Sequence, residues 1–255
     1  IELDESVSEI SAGSTHSCAV AVSGNILCWG SNSSGKLGDG TEDHRTIPVE
    51  VIGPEAQATS VSAGSLHTCA VTILDEVYCW GSNSAGQVGD GSQVDRLSPT
   101  RIDGSFQSLV AGASHTCGIS GAEVLCWGDN DFGQLGDGTT EDKASPVAVD
   151  GLPGTPMVLA AGAVHTCAVL TDRSAYCWGQ NLHGQLGDGT STNRSSPVAV
   201  SGGVDFVALF AGGGLSCGFG RDGGQYCWGL NQSGQLGDGS RTNRSNPVPI
   251  RGNRP

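Results

Sequence analysis

Cys28-Trp29-Gly30-Ser31-Asn32-Ser33-Ser34-Gly35-Lys36-Leu37-Gly38-Asp39-Gly40-Thr41 is a stretch that returns in near copy from Cys79, Cys126, Cys177 and Cys227. The chain's five tryptophans, Trp29, Trp80, Trp127, Trp178 and Trp228, sit one per copy, 51, 47, 51 and 50 residues apart. A period near 50 residues marks a repeat protein, in which each supersecondary unit buries its apolar face only by stacking on its neighbours. The units run approximately 1-52, 53-103, 104-152, 153-202 and 203-255. Because they cover nearly the whole chain, 1-255 reads as a single repeat domain.

Ahead of each tryptophan lies a pair of cysteines: Cys18/Cys28, Cys69/Cys79, Cys117/Cys126, Cys167/Cys177 and Cys217/Cys227. The members are nine residues apart in the third unit and ten elsewhere. That spacing suits opposite strands of one hairpin, so one intra-unit disulfide per repeat is expected. The third unit leaves Gly121-Ala122 as a two-residue turn; the others leave three-residue loops such as Val22-Ser23-Gly24 and Thr171-Asp172-Arg173. Regularly paired cysteines point to an oxidising compartment. Free thiols, or a zinc site built from His16, Cys18 and Cys28, are the competing readings.

The fourth unit shows four runs of strand character: Met157–Ala161, Thr166–Leu170, Ala175–Trp178 and Pro197–Val200. A proline before the last run (Pro48, Pro99, Pro146, Pro197, Pro247) places that strand at a sheet edge, since proline has no N–H to donate. The loop after each Trp-Gly, Asn-x-x-Gly-x-Leu-Gly-Asp-Gly, has glycine at fixed places that need positive φ or close backbone approach. Its Asn and Asp suit a self-capped turn. The same oxygens would suit calcium, with Asp129 and Asp131 making the third loop the best candidate.

Glycine reaches 41 residues and the formal net charge is −14, with Lys and Arg together only 12, which argues against nucleic acid as a partner. No apolar run approaches the roughly 18 residues of a transmembrane helix, so a soluble form is expected, and a start at Ile1 is consistent with a trimmed or mature product. Charge is uneven. The first 50 residues carry Glu2, Asp4, Glu5, Glu9, Asp39, Glu42, Asp43 and Glu50 against Lys36 and Arg45, whereas the last 55 carry five arginines, Arg251 and Arg254 among them, against three aspartates. Acidic and basic ends of this kind would meet within one molecule or join one molecule to the next.

The pattern Ala-Gly-x-x-His-(Thr/Ser)-Cys, hairpin, Cys-Trp-Gly-x-Asn-x-x-Gly-Gln-Leu-Gly-Asp-Gly, then Pro-Val, resembles the regulator of chromosome condensation repeat family over almost the whole chain. The resemblance implies an all-β, β-propeller-like array of five four-stranded blades, and binding of another protein through loops at one end. Well-known members have seven blades, so five units fit a closed ring, an open arc or part of a longer array. The paired cysteines and acidity resemble the family's secreted bacterial members.

No hydrolase elbow, phosphate loop or zinc-protease motif occurs, and an enzyme is not expected. His16, His67, His115 and His165 recur at one place, with Leu215 in the fifth unit, as a shared structural contact would. Candidate binding residues lie where the copies differ: Asp131, Phe132, Leu182 and His183 fill the free positions of the third and fourth Asn-x-x-Gly loops. The hydrophilic runs after Gly-Asp-Gly read as solvated surface. The expected role is a secreted or cell-surface scaffold that binds protein and could assemble head to tail. A calcium- or carbohydrate-dependent adhesive module and an inhibitor of an extracellular enzyme are the alternatives. Asn-x-Ser triplets begin at Asn32, Asn193, Asn231 and Asn243.

Overall fold

A computed structural model of the chain describes residues 6–54 and 57–251. Twenty strands form five antiparallel four-stranded sheets, each with its strands in sequence order, so every connection is between neighbours. The first blade holds β1 (Val7–Ala12), β2 (His16–Ala21), β3 (Ile26–Gly30) and β4 (Arg45–Glu50); the second holds β5 (Ala58–Ala63), β6 (His67–Thr72), β7 (Val77–Gly81) and β8 (Arg96–Ile102). The third holds β9 (Ser108–Ala111), β10 (His115–Ser120), β11 (Glu123–Gly128) and β12 (Lys143–Ala148). The fourth holds β13 (Pro156–Ala161), β14 (His165–Leu170), β15 (Ala175–Gly179) and β16 (Arg194–Ala199), and the fifth β17 (Phe206–Gly212), β18 (Leu215–Gly220), β19 (Gln225–Gly229) and β20 (Arg244–Pro249). No described helix is long and apolar enough to cross a membrane.

The chain groups into two compact units. One takes Ile1–Gly121, Leu125–Asp129 and Asp142–Val147; the other takes Ala122–Val124, Asn130–Glu141 and Ala148–Pro255. In the first, Val20, Ile26, Leu37 and Val61 pack with Trp80, and Val71, Val77, Ile102 and Phe106 pack with Trp127. In the second, Val169, Leu186, Phe206 and Leu209 pack with Trp228. Each core thus joins one blade's hairpin to the next blade's tryptophan.

The paired cysteines face each other across the middle hairpin, as Cys18 opposite Cys28 and Cys167 opposite Cys177. Their Cα atoms lie 4.0 to 4.1 Å apart, close to the spacing of a non-hydrogen-bonded antiparallel pair. All five disulfides form within blades and no described cysteine is free, which leaves no thiolate for zinc. The hairpin turns follow the sequence count. β10 and β11 are separated by Gly121-Ala122, with Gly121 at φ +62, and Val22-Ser23-Gly24 is closed by the Ala21 N–H donating to the Asn25 carbonyl at 2.8 Å.

The prolines sit differently from a strand start. β4 begins at Arg45, three residues before Pro48, and its pairing with β3 skips between Cys28/Val49 and Gly30/Arg45. Pro48 lies in that irregular stretch of an edge strand, where its missing N–H breaks no ladder.

Gly38 sits at φ +75 under the Trp80 indole, and a methyl built on it would lie 2.7 Å from Nε1. Gly202, at φ +92, faces open space. Gly38→Ala should therefore lower unfolding stability by about 3 kcal/mol in a urea titration, and Gly202→Ala by only about 1 kcal/mol. Equal losses would show that the left-handed backbone alone, and not the indole, demands glycine.

Candidate functional site

Between consecutive blades one backbone carbonyl receives two donors. The Trp80 indole N–H donates to the Lys36 carbonyl at 3.0 Å and the Thr68 hydroxyl donates to the same oxygen at 2.8 Å. The Gln87 carbonyl takes Trp127 and Thr116, the Gln134 carbonyl takes Trp178 and Thr166, and the Gln185 carbonyl takes Trp228 and Ser216. A carbonyl has two lone pairs, so both are used. These four indoles are fully buried, which removes them as sugar-stacking platforms.

The recurrent histidine completes this contact. Thr68 spends its proton on Lys36, so its oxygen accepts from His16 Nε2–H at 2.7 Å; His67 meets Thr116 at 2.8 Å and His165 meets Ser216 at 2.8 Å in the same way. The opposite nitrogen, Nδ1, finds no hydrogen-bond partner in His16, His67 or His165. In His16 and His67 it lies against Gly13 and Gly64, where a side chain would collide with the ring. Burial, with the Lys36 charge adding to it, holds His16 down to about 4; burial holds His67 down to about 3 and His165 to about 4. The rings are neutral hydrogen-bond donors at neutral pH. They stand beside hydroxyls already committed to a carbonyl, an arrangement that activates no nucleophile.

The Asn-to-Asp loop is a closed network. Asn32 Oδ1 accepts from the Leu37 N–H at 2.8 Å, and Asn32 Nδ2 donates to Asp39 Oδ1 at 3.0 Å and to the Thr41 carbonyl at 2.9 Å. Thr41 donates through its hydroxyl to Asp39 Oδ1 at 2.8 Å, and Arg45 Nε donates to Asp39 Oδ2 at 2.8 Å. Arg96, Arg194 and Arg244 pair likewise with Asp90, Asp188 and Asp238. Desolvation raises the Asp39, Asp90 and Asp188 carboxyls, but hydrogen bonds from Thr or Ser and from the arginine outweigh it and hold them below the usual range. A carboxylate already facing a guanidinium and an amide N–H is set up against a cation, so in these loops the self-capped turn holds. The arginines sit in the runs read from sequence as plain solvated surface. That reading is corrected: they bolt the loop to the edge strand.

The variable positions are placed differently from one another. Asp129 is half-buried, its N–H donating to the Ser114 carbonyl at 2.8 Å, and Asp131 is exposed. Phe132 is half-buried, and its N–H donates to Gln134 Oε1 at 2.9 Å. Leu182 is 61% exposed, and His183 is half-buried with Nδ1 3.3 Å from Asn243 Nδ2. Leu182 and His183 line a pocket of about 310 Å³ with Gly189, Thr190, Ser191 and Asn243. Of the charged ends, Arg251 is exposed, while Glu2, Asp4, Glu5 and Arg254 lie outside the described residues. Asn32 and Asn231 are buried in the loop network, so two of the four glycosylation-type triplets are inaccessible.

The histidines make stability depend on pH. An unfolded histidine takes up its proton near pH 6.5, whereas folded His16 and His165 resist it until about pH 4. Between those values the unfolded chain binds more protons, so stability falls as pH falls through that window. At pH 5 each such histidine should cost on the order of 2 kcal/mol relative to pH 8. His165→Leu, which installs the residue the fifth blade carries as Leu215, should shrink the pH 8 to pH 5 difference in urea unfolding by about that amount. An unchanged difference would place the sensitivity elsewhere.

With this geometry in hand, residues 1–254 match the family model of the RCC1-like domain. The chain is 36% identical to the Ultraviolet-B receptor UVR8 of Arabidopsis thaliana over 201 residues, 76% of this chain and 46% of the receptor. It is 30% identical to the probable E3 ubiquitin-protein ligase HERC4 of Homo sapiens over 209 residues, 78% of this chain and 20% of that protein. It thus spans less than half the length of these curated relatives. Among solved structures it is similar to human WBSCR16 (TM-score 0.88, 22% identity, 98% of this chain and 67% of that one). It is also similar to Saccharomyces cerevisiae Prp20p, described with its binding to Gsp1p and histones (0.87, 20%, 97% and 64%). A third is the ectodomain of the Physcomitrella patens receptor kinase CR4 (0.58, 26%, 89% and 51%). Fold, repeat signature and family model agree: this chain belongs to the RCC1-like domain family.

Proposed function

We propose that this chain is a non-catalytic protein-binding scaffold that works outside the cell, as a secreted or surface-borne protein, and that its copies join end to end. The observation that carries the binding role is the split between committed and uncommitted side chains. The buried histidines and the four buried tryptophans are spent on holding blades together, and the Asp–Arg pairs on holding each loop to its own edge strand. Leu182, which other copies replace with Ser, Asp or Gln, is exposed beside a pocket that His183 lines while it meets Asn243 of the next blade. Relatives support a protein partner, since Prp20p is described by its binding to Gsp1p and histones. Five disulfides support an oxidising compartment, and an ectodomain of similar fold agrees with it.

Two measurements test this. Protein isolated from its native source without reductant should show an intact mass ten hydrogens below the reduced form, matching its ten cysteines; ten free thiols would end the extracellular reading. Affinity capture from secreted material with wild type and with Leu182→Asp/His183→Ala should give a protein that the double variant loses. Identical capture by both would remove the fourth-blade loop as the binding site.

A further inference from the structure

The repeat departs from its own pattern at one buried position. The residue before the loop's Leu or Val is glutamine in four copies, and its Oε1 accepts the N–H two residues earlier. Ala85 donates to Gln87 at 3.0 Å, and Phe132, His183 and Ser233 donate to Gln134, Gln185 and Gln235 at 2.9 Å. The first copy has Lys36 there. An ammonium accepts nothing, so the Ser34 N–H has no such cap, and Ser34 stands at φ +60. Lys36 is only 3% exposed, and no carboxylate pairs with it among the described residues. The chain thus gives up a hydrogen bond and buries an unpaired charge at one position, both of which cost stability. A local rule broken twice over in this way is the mark of a functional position.

What surrounds the ammonium is a set of hydroxyls. Lys36 Nζ donates to Thr15 Oγ1 at 2.7 Å and to the Ser65 carbonyl at 3.4 Å, which leaves one of its three N–H groups without a partner among the described residues. Thr15, having accepted from Lys36, keeps its own proton to donate. Ser14 Oγ donates to Ser65 Oγ at 2.7 Å, and the Ser65 proton is left over in the same way. Thr15 is exposed, Ser65 is half-buried, and Leu66, next in the chain, is 44% exposed. Burial lowers the Lys36 ammonium from its ordinary value, as it does for a charge without a counter-ion. Three donors gather around one positive charge, and no anion among the described residues meets them.

We infer that Lys36, Thr15 and Ser65 form a binding site for a carboxylate carried on a short apolar stem, the group that the last residue of a peptide presents when its side chain is aliphatic. The ammonium supplies the charge, the Thr15 and Ser65 hydroxyls donate to the carboxylate oxygens, and the exposed Leu66 receives the stem. One lysine matches one negative charge. A phosphate dianion would bring two into the field of a chain whose formal net charge is −14, and that field opposes it. The site shares no residue with the fourth-blade pocket. It goes beyond the partner surface at Leu182 and His183 and does not depend on it.

The probe is N-acetyl-leucine, with N-acetyl-leucinamide as its uncharged twin and inorganic phosphate as the competing anion. Titrated at millimolar concentration into the isotope-labelled chain, N-acetyl-leucine should shift the Thr15, Ser65 and Leu66 amide resonances, and the uncharged twin should leave them in place. Lys36→Gln, which installs the side chain of the other four copies, should bind the probe at least about tenfold more weakly, the loss expected for one charge-assisted hydrogen bond. Thr15→Val, at an exposed position, should weaken binding about threefold or more through the loss of one neutral donor. The thermal midpoint of Lys36→Gln should be no lower than that of the wild type, because the amide cap returns and a buried charge is removed. An absence of shifts, equal shifts from the uncharged twin, undiminished binding by Lys36→Gln or Thr15→Val, or phosphate binding as tight as that of N-acetyl-leucine would each overturn the inference. A lowered midpoint in Lys36→Gln would show that the ammonium serves the contact between blades, and would overturn it as well.

Discussion

A single backbone oxygen in each of the first four blades, accepting an indole N–H and a hydroxyl from the next blade, is the constraint on which the rest depends. Both donors are buried, and a buried donor without an acceptor costs roughly 1 to 3 kcal/mol. The Lys36 carbonyl must therefore be held in place, and the surrounding residues do that. Asn32 and Asp39 stitch the loop that carries it, Arg45 ties the loop to the edge strand, and Gly38 lets the Trp80 ring lie flat above it. The disulfide beside Trp80 fixes the hairpin that delivers the indole.

Much of this could be read from the residues. Tryptophan spacing gave the blade count, cysteine spacing gave the hairpin and its turn lengths, and equivalent histidines pointed to a shared contact. The accepting oxygen could not be read, because a main-chain atom leaves no side-chain signature: Lys36 and Gln87 occupy the same position with different side chains. The arginine pairs were hidden for a different reason. Arg45 and Arg96 open their edge strands at the end of runs whose other residues vary, so they looked like ordinary surface, and only the fold shows them reaching back six residues to Asp39 and Asp90. Proline was half legible: its edge position followed from the missing donor, but the irregular pairing that absorbs it did not.

The candidate site was legible only as difference. Leu182 stood out because other copies carry Ser, Asp or Gln there, and the structure leaves it in solvent. Phe132 stood out equally, yet it is half-buried, and the sequence had no means of separating the two.

The third blade's hairpin is one residue shorter than the others, its cysteines nine positions apart in place of ten, and the shortfall falls entirely in the turn at Gly121. Its carbonyl, indole and hydroxyl contacts are otherwise those of its neighbours. The hydroxyl donor follows its acceptor by 32 residues at Thr68 and Thr166, by 31 at Ser216 and by 29 at Thr116, with the same bond formed each time. Residues can thus be lost or gained at hairpin tips and in the stretch that leads from one blade to the next, and a whole repeat can be copied or deleted, without moving an inter-blade bond. An insertion between Asn32 and Asp39 has no such outlet, so lineages of this chain should diverge in repeat number and tip length long before they diverge in that loop.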